Sequence, residues 1–93
     1  MYHRKREQLE IIYDILRSVE RGAKKTQIMY NASLNYFMIN KYLKLLQDKQ
    51  LIVKKDELYV LTVKGREVLD TLRKYKELKE QYIKILESLK DFK

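Results

Sequence analysis

The spacing of apolar side chains predicts four helices and two short strands along these 93 residues. The first helix is predicted over residues 4–21, where apolar side chains recur at steps of three and four. Its apolar face consists of Leu9, Ile12, Tyr13, Leu16 and Val19, widened by Ile11 and Ile15. Gly22 follows, at the position where a left-handed glycine commonly ends a helix.

Residues 25–50 predict a short helix, a polar turn and a longer helix. Thr26 is the predicted N-cap of the second helix, residues 31–33 supply the turn, and Asn35 is the predicted N-cap of the third helix. The side chains predicted to be buried are Ile28 and Met29 in the second helix, and Tyr36, Ile39, Tyr42, Leu43 and Leu46 in the third.

A two-stranded ribbon is predicted next, with strands at residues 51–53 and 58–61 and Asp56-Glu57 at the tip. A helix pair joined by a short turn is the usual device for placing one helix in a DNA major groove. A ribbon that follows at once, with Lys54 and Lys55 near its tip, indicates the winged form of that device. We therefore predict a mainly helical, α+β fold of the winged helix-turn-helix class.

A heptad repeat runs along the last predicted helix, which follows the N-cap Thr62 and has no breaker between Gly65 and about residue 91. The two apolar series are Val68, Tyr75, Tyr82 and Leu89, and Thr71, Leu78, Ile85 and Phe92, flanked by Leu72 and Leu86. A small head covers only the first turns of so long a helix, so the stripe beyond about Tyr75 needs a partner.

A homodimeric coiled coil provides that partner, with residues 1–66 as a DNA-binding head and residues 67–93 as a dimerisation helix. The expected dimer contacts are Tyr75, Leu78, Tyr82, Ile85, Leu86, Leu89 and Phe92. The alternative is a helix that folds back over its own head, but the segment has no turn residues. The flanking charges leave the relative orientation of the two helices open.

The net charge of +8 is concentrated in the predicted head. Residues 1–66 contain 14 Lys and Arg against 7 Asp and Glu, whereas residues 67–93 contain 7 against 6. A basic domain this small indicates a polyanionic partner, nucleic acid before membrane, and the alternative is that the charge only aids solubility.

Composition excludes several classes of function. There is no cysteine, one histidine and no glycine-rich loop, so we expect no metal, no cofactor and no small-molecule ligand. No nucleophile with a neighbouring base is visible, so we expect no enzymatic activity. No apolar run approaches the length of a membrane helix, so we expect no membrane association and a cytoplasmic location.

The candidate DNA contacts lie at the start of the second helix, on the outer side of the third helix and on the ribbon. They are Lys24, Lys25, Thr26, Gln27, Asn35, Phe37, Asn40, Lys41, Lys44, Lys54 and Lys55. The alternatives are an ordinary solvated helix face and lysines that protect an edge strand. Phe37 and Met38 are either DNA contacts or part of the core. The basic run of residues 3–6 is a further candidate arm.

Three segments, KTQIMYNASLNY, KYLKLLQDKQLI and LYVLTVKGREVL, together with the long last helix, resemble the archaeal winged-helix family of small basic chromatin-associated proteins called the 10a group. The resemblance covers nearly the whole chain. It implies a DNA-binding dimer joined through an antiparallel coiled coil, with one head at each end and a role on the nucleoid. In that family Phe37 and Met38 usually have polar or basic counterparts, and Gln50 usually has a glycine.

We therefore expect a dimer that binds double-stranded DNA without strong sequence preference and bends or bridges it. One alternative is a site-specific transcriptional regulator. Another is a winged-helix module that binds proteins and no nucleic acid.

Overall fold

The computed structural model describes residues 6–92, and all the predicted elements are present in the predicted order. The helices are α1 (Gln8–Ser18), α2 (Lys25–Asn31), α3 (Tyr36–Asp48) and α4 (Val63–Leu89), and the strands are β1 (Ile52–Lys55) and β2 (Leu58–Leu61). A 3₁₀ turn, Lys90–Phe92, follows α4. The molecule is elongated, 55 × 28 × 20 Å, because α4 extends beyond the other elements.

The core is one cluster of mainly aliphatic side chains from all four helices and both strands, and it includes the buried rings of Tyr13, Tyr42 and Tyr59. Its fully buried members are Ile15, Leu16, Val19, Ile28, Ile39, Leu46, Ile52 and Leu69. Within residues 6–92 no polar or charged side chain is buried. Leu69 and Leu72 belong to this core, so α4 contributes to the head beyond residue 66 before it leaves the head.

Two of the three predicted helix caps are confirmed. The side chain of Asn35 accepts a hydrogen bond from the backbone N–H of Met38 at 2.8 Å, and that of Thr62 accepts one from Gly65 at 2.9 Å. The prediction for Thr26 is wrong, because α2 begins at Lys25, two residues earlier than that cap implies, and its N-cap is Lys24. The N–H of Lys24 donates instead to the side chain of Gln27.

Two helix predictions are also corrected. Helix α1 ends at Ser18 rather than at residue 21, and Gly22, with φ 83°, lies in a turn that leads away from it. Tyr36 was predicted to be buried but is 69% exposed, because it occupies the first turn of α3, outside the core stripe. Leu9 is likewise exposed, at the open end of the groove between α1 and α4.

The ribbon is an antiparallel hairpin in which Ile52 pairs with Leu61 and Lys55 with Leu58. Lys54 and Lys55 therefore lie within β1, and only Asp56-Glu57 forms the tip. On the other side, Ala23 exchanges both backbone hydrogen bonds with Tyr59, at 3.0 and 2.8 Å. This bridge, which no sequence pattern indicated, fixes the ribbon to the segment that leads into α2.

The start of α4 is packed tightly against the end of α3. The hydroxyl of Thr62 donates to the carbonyl of Gln50 at 2.7 Å, which links the two helix ends directly. Gly65 has no room for a side chain, since a Cβ atom there would lie 1.9 Å from the carbonyl oxygen of Leu51. Glycine at this position therefore sets how closely α4 approaches the head.

Candidate nucleic-acid interface

The helix pair α2–α3 presents a basic surface, whose one acidic residue is Asp48 at the end of α3. Residues 21–47 contain Arg21, Lys24, Lys25, Lys41 and Lys44 and no aspartate or glutamate. We call these residues, 21–47, the recognition segment. No acidic residue within the segment neutralises these basic side chains, so they create a local positive potential that attracts anions.

The lysines of α3 are exposed and have no acidic partner. Lys41 and Lys44 lie one turn apart on the outer side of the helix, and in the described part of the chain neither forms a salt bridge. Asn40 is half-buried beside them. The side-chain oxygen of Asn35 is occupied by its capping bond to Met38. The outer side of α3 therefore offers two unpaired cations and one partly accessible amide, between the exposed ring of Phe37 at its start and Asp48 at its end.

The start of α2 lies beside the start of α3. The ammonium group of Lys25 lies 4.8 Å from the ring centroid of Tyr36, a cation–π distance that joins the two helices. Thr26 and Gln27 are exposed on the same turn, and the side chain of Gln27 is engaged by the Lys24 amide. Lys24 also lies 3.8 Å from Glu57 of the ribbon tip, a weak contact between exposed groups.

The ribbon carries two further exposed cations. Lys55 forms no salt bridge within residues 6–92, and Lys54 lies 5.7 Å from the ring of Tyr59. Both belong to β1, whose residues after Ile52 are all exposed. The candidate contacts thus come from three elements, and Lys24 and Lys25 connect them through Glu57 and Tyr36.

The first turn of α3 is aromatic and open to solvent. Phe37 is 75% exposed and Tyr36 is 69% exposed, and Tyr30 in the last turn of α2 is 85% exposed. Met38, in contrast, is half-buried and packs on the core. Of Phe37 and Met38, therefore, only Met38 belongs to the core, and Phe37 is open to solvent. Sequence reasoning missed Tyr36 as a surface residue. Residue 36 precedes the buried Ile39 by a helical step of three, so the pattern favoured the core.

The candidate arm at residues 3–6 lies outside the described residues except for Arg6. The Arg6 guanidinium forms a salt bridge with Asp14 at 2.8 Å and donates to the carbonyl of Ala32 at 2.8 Å. It thereby ties the segment before α1 to the turn between α2 and α3. Arg6 is occupied within the head and is not a free member of a basic arm.

The seam of α4 forms a second, apolar surface. Beyond Leu72 its side chains are exposed, with Leu78 at 64% and Ile85 at 57%. The other predicted seam residues are exposed too, namely Tyr75, Tyr82, Leu86, Leu89 and Phe92. The side of α4 that faces its own head is different, since Leu69 and Leu72 are buried there and Ile83 is half-buried further along. The helix therefore has one covered side and one uncovered apolar side.

Ion pairs attach α4 to α1, and we call these contacts the α1–α4 junction. Lys79 pairs with Glu7 and with Glu10, the latter at 2.8 Å. The pKa of Glu10 is lowered because Lys79 donates a hydrogen bond to its carboxylate. The pKa of Tyr75 is raised because its hydroxyl donates to the Glu7 carboxylate at 2.8 Å.

A second cluster of the same junction is centred on Glu20. Its carboxylate accepts from Arg73 at 2.9 Å and lies 3.6 Å from Arg66. The pKa of Glu20 is lowered chiefly by the hydrogen bond from Arg73.

In the part of the chain that the structure describes, no group of histidine, cysteine, aspartate or glutamate side chains is arranged to hold a metal ion. Over the same residues, no helix combines the length and apolarity needed to cross a membrane.

Two helices joined by a short turn, with a basic second helix and a β-ribbon directly after it, define the winged helix-turn-helix class. The chain belongs to the winged helix-turn-helix family, whose sequence model it matches over residues 5–80. It is 39% identical over 69 residues to the uncharacterized protein MJ0290 of Methanocaldococcus jannaschii. The matched residues make up 73% of this chain and 33% of that protein. It is 36% identical over 69 residues to MJ0287 of the same organism, covering 73% and 71% respectively. The chain thus spans about a third of the length of MJ0290.

Among solved structures, the fold is similar to that of Sso10a-2, a DNA-binding protein from Sulfolobus solfataricus. The TM-score is 0.84 at 26% identity, and the match covers 94% of this chain and 96% of that one. The expected resemblance to the archaeal 10a group is therefore confirmed, and with it the winged-helix fold and the long C-terminal helix.

Proposed function

We propose that this protein binds double-stranded DNA largely without sequence preference, as a dimer with an architectural role on the nucleoid. The observation that carries the proposal is the recognition segment, which places five basic residues and no acidic one on, and directly before, the helix pair of a winged-helix fold, with Asp48 following at the end of α3. The similarity to Sso10a-2, described as a DNA-binding protein, supports the same ligand. The role is binding rather than catalysis.

In this proposal α3 enters the major groove and the surrounding lysines contact phosphate. Lys41 and Lys44 follow the groove, Lys24, Lys25 and Thr26 meet the backbone at the start of α2, and Lys54 and Lys55 contact it from the ribbon. Because a lysine ammonium group is a point charge, it binds phosphate well but discriminates poorly between bases. Gln27, Asn35 and Asn40 are the remaining polar candidates, and the first two already use side-chain atoms in helix capping.

We propose that the seam of α4 joins two chains. The exposed side chains of Leu78, Tyr82 and Ile85 have no partner within residues 6–92, and a second α4 covers them economically. Residues 1–66, together with the first turns of α4 that bury Leu69 and Leu72, then act as the head, and the rest of α4 acts as the dimerisation helix. The antiparallel orientation rests on the resemblance to the 10a group, and it places the heads at opposite ends of a rod, suited to bending or bridging DNA in the cytoplasm.

The DNA-binding proposal is tested by the salt dependence of affinity for unrelated duplexes. About six phosphate contacts per head predict a log–log slope of about −5, because each contact releases counterions. Replacement of Lys41, Lys44 and Lys55 by glutamine reduces the magnitude of this slope by about 3 and weakens all duplexes alike.

The matched control replaces three exposed lysines by glutamine, Lys74 and Lys84 in α4 and Lys90 in the turn after it, and changes the net charge equally. Binding that ignores salt, or equal losses in the two triple variants, contradicts the proposed surface. A ratio above about 10³ between a selected site and random DNA would instead favour a site-specific regulator.

The dimer is tested by replacing Leu78 and Ile85 with glutamine and measuring mass by sedimentation. We expect monomers and much weaker DNA binding, since two linked heads benefit from effective concentration. Val63→Gln is the control, because Val63 is 80% exposed and lies outside the seam. Dimers that persist in the double variant would refute this seam.

A further inference from the structure

Two aromatic rings stand open at the start of α3, inside the basic recognition segment. Phe37 and Tyr36 occupy the first helical turn, whose backbone is held by the Asn35 cap. Lys41 and Lys44 follow Phe37 at four and seven residues, so all three lie on one face of the helix. We call Tyr36 and Phe37 the aromatic pair.

A perfect duplex does not use the faces of these rings. Stacked base pairs expose only their edges in the major groove, where an aromatic side chain can touch a thymine methyl group and little else. A ring that is 75% exposed, as Phe37 is, then remains largely in contact with water or with sugar and phosphate. An unpaired base, by contrast, offers a whole face, and aromatic side chains bind single strands by stacking on such faces.

We propose that the aromatic pair stacks on unpaired bases, so that the protein prefers DNA with a locally opened helix, such as a bulge, over a perfect duplex. The inference rests on the proposed DNA-binding function and names a preferred form of that ligand. DNA rather than an apolar protein partner is favoured by charge, because the pair is flanked by Lys25, Lys41 and Lys44 and the recognition segment has no acidic residue. Lys25 also stabilises the position of the Tyr36 ring, at 4.8 Å from its centroid.

Phe37→Trp provides a direct probe, because the chain contains no tryptophan. With excitation selective for tryptophan, we expect strong quenching on titration with a duplex that carries a three-nucleotide bulge. A perfect duplex of the same length should quench weakly at equal occupancy. Phe92→Trp is the matched control, since Phe92 is also exposed but lies in the last turn of the chain, after α4. Equal quenching of Phe37→Trp by both duplexes overturns the proposal.

Affinities give the second measurement. The unsubstituted protein should bind the bulged duplex about tenfold more tightly than the perfect one at the same salt concentration, within the range that one stacked base supports. Phe37→Ala and Phe37→Leu should both weaken binding of the bulged duplex more than binding of the perfect one, so that the preference disappears, and Phe37→Tyr should keep it. Leucine retains the apolar volume and loses the flat ring, so it separates stacking from burial.

The outcomes distinguish the two proposals. A protein that binds both duplexes equally, or whose preference survives Phe37→Ala, refutes stacking and leaves DNA binding intact. A protein that binds neither duplex at low salt refutes the proposed function itself. Phe37 is exposed and outside the core, so the variants should unfold at the same temperature as the parent, which circular dichroism checks.

Discussion

The recognition segment and the α1–α4 junction use charge in opposite ways. Residues 21–47 carry five basic residues and no acidic one, and Lys41 and Lys44 form no salt bridge within the described chain. At the junction each cation faces a carboxylate, as Lys79 does with Glu7 and Glu10. Lysines such as Lys41 and Lys44 thus lack an acidic partner on the recognition segment, whereas Lys79 is paired at the junction.

The difference shows that a net charge of +8 is not a uniform property of this chain. Cations at the junction are held by neighbouring acids, and each exposed pair contributes little to stability, so their main effect is to orient α4 on the head. On the recognition segment Lys41 and Lys44 have no such partner within the described chain, and Lys24 has only the weak contact with Glu57, so these cations are available to an external polyanion. Substitutions at the junction should therefore change stability and the position of α4, whereas substitutions on the recognition segment should change DNA affinity.

The largest expected effect concerns the attachment of α4. Gly65→Ala should lower the free energy of unfolding by about 3 kcal/mol or more, because the added methyl group meets the backbone oxygen of Leu51 and the backbone must move. Thermal or urea unfolding measures it. Lys64→Ala is the control, since Lys64 is exposed on the same turn. A Gly65→Ala protein as stable as the parent would show that the head adapts to a more distant α4.

A smaller effect is expected from one cation of the junction. Lys79→Gln should lower the free energy of unfolding by about 1 kcal/mol, since its ammonium group is mostly shielded from solvent and serves two carboxylates. Binding of DNA by each head should change little. The matched substitution on the recognition segment is Lys41→Gln, which should weaken DNA binding and leave stability unchanged. If the two substitutions had the same pattern of effects, the contrast between the two surfaces would be wrong.

The pH dependence of stability provides a second test of the ion pair between Lys79 and Glu10. The pKa of Glu10 is lowered from its ordinary value of 4.5, chiefly by the hydrogen bond from Lys79. The folded protein therefore holds this proton less tightly than the unfolded chain, and the stabilisation is present above pH 4.5 and is lost as pH falls through the lowered pKa. The difference in stability between the parent and Lys79→Gln should narrow below that pH. A difference that is constant from neutral pH to pH 3 would contradict the assigned pair.

Sequence patterns predicted the element order, because the helical spacing in α1 and α3, the caps Asn35 and Thr62 and the two apolar strands are all local signals. Contacts between distant segments have no such signal. The bridge of Ala23 to Tyr59 and the approach of Gly65 to Leu51 arise from packing, which depends on the whole fold.

The sequence predicted the charged side chains of the candidate surface but not its exposed aromatic side chains. Lys24, Lys41 and Lys44 are exposed and Lys25 is half-buried, and the exposure of a lysine can be expected from its residue type alone. The exposure of Tyr36 and the partial burial of Met38 depend on how the first turn of α3 packs on the core, which the spacing of apolar residues does not specify. Arg6, grouped with a basic run, is drawn into the head by Asp14, and a charge count cannot anticipate such a pairing.

The smallest expected effect lies between the two surfaces, at the end of α3. Gln50 has φ 61°, in the left-handed region, and the N–H of Leu51 bonds to the carbonyl of Leu46 at 2.9 Å, so the helix ends as it would with a glycine. Gln50→Gly should therefore raise the free energy of unfolding by about 0.5 to 1 kcal/mol, by relieving a conformation that a side chain disfavours.

DNA affinity should be unaffected by that substitution, because the shape of the helix end is already the one that glycine favours. Gln47→Gly is the control, since residue 47 lies in the last turn of α3 and glycine there should destabilise the helix by about 1 kcal/mol. A loss of stability in Gln50→Gly would mean that the side chain of Gln50 contributes more than its backbone strain removes. Changed DNA affinity would mean that the end of α3, and not only its exposed lysines, contributes to binding.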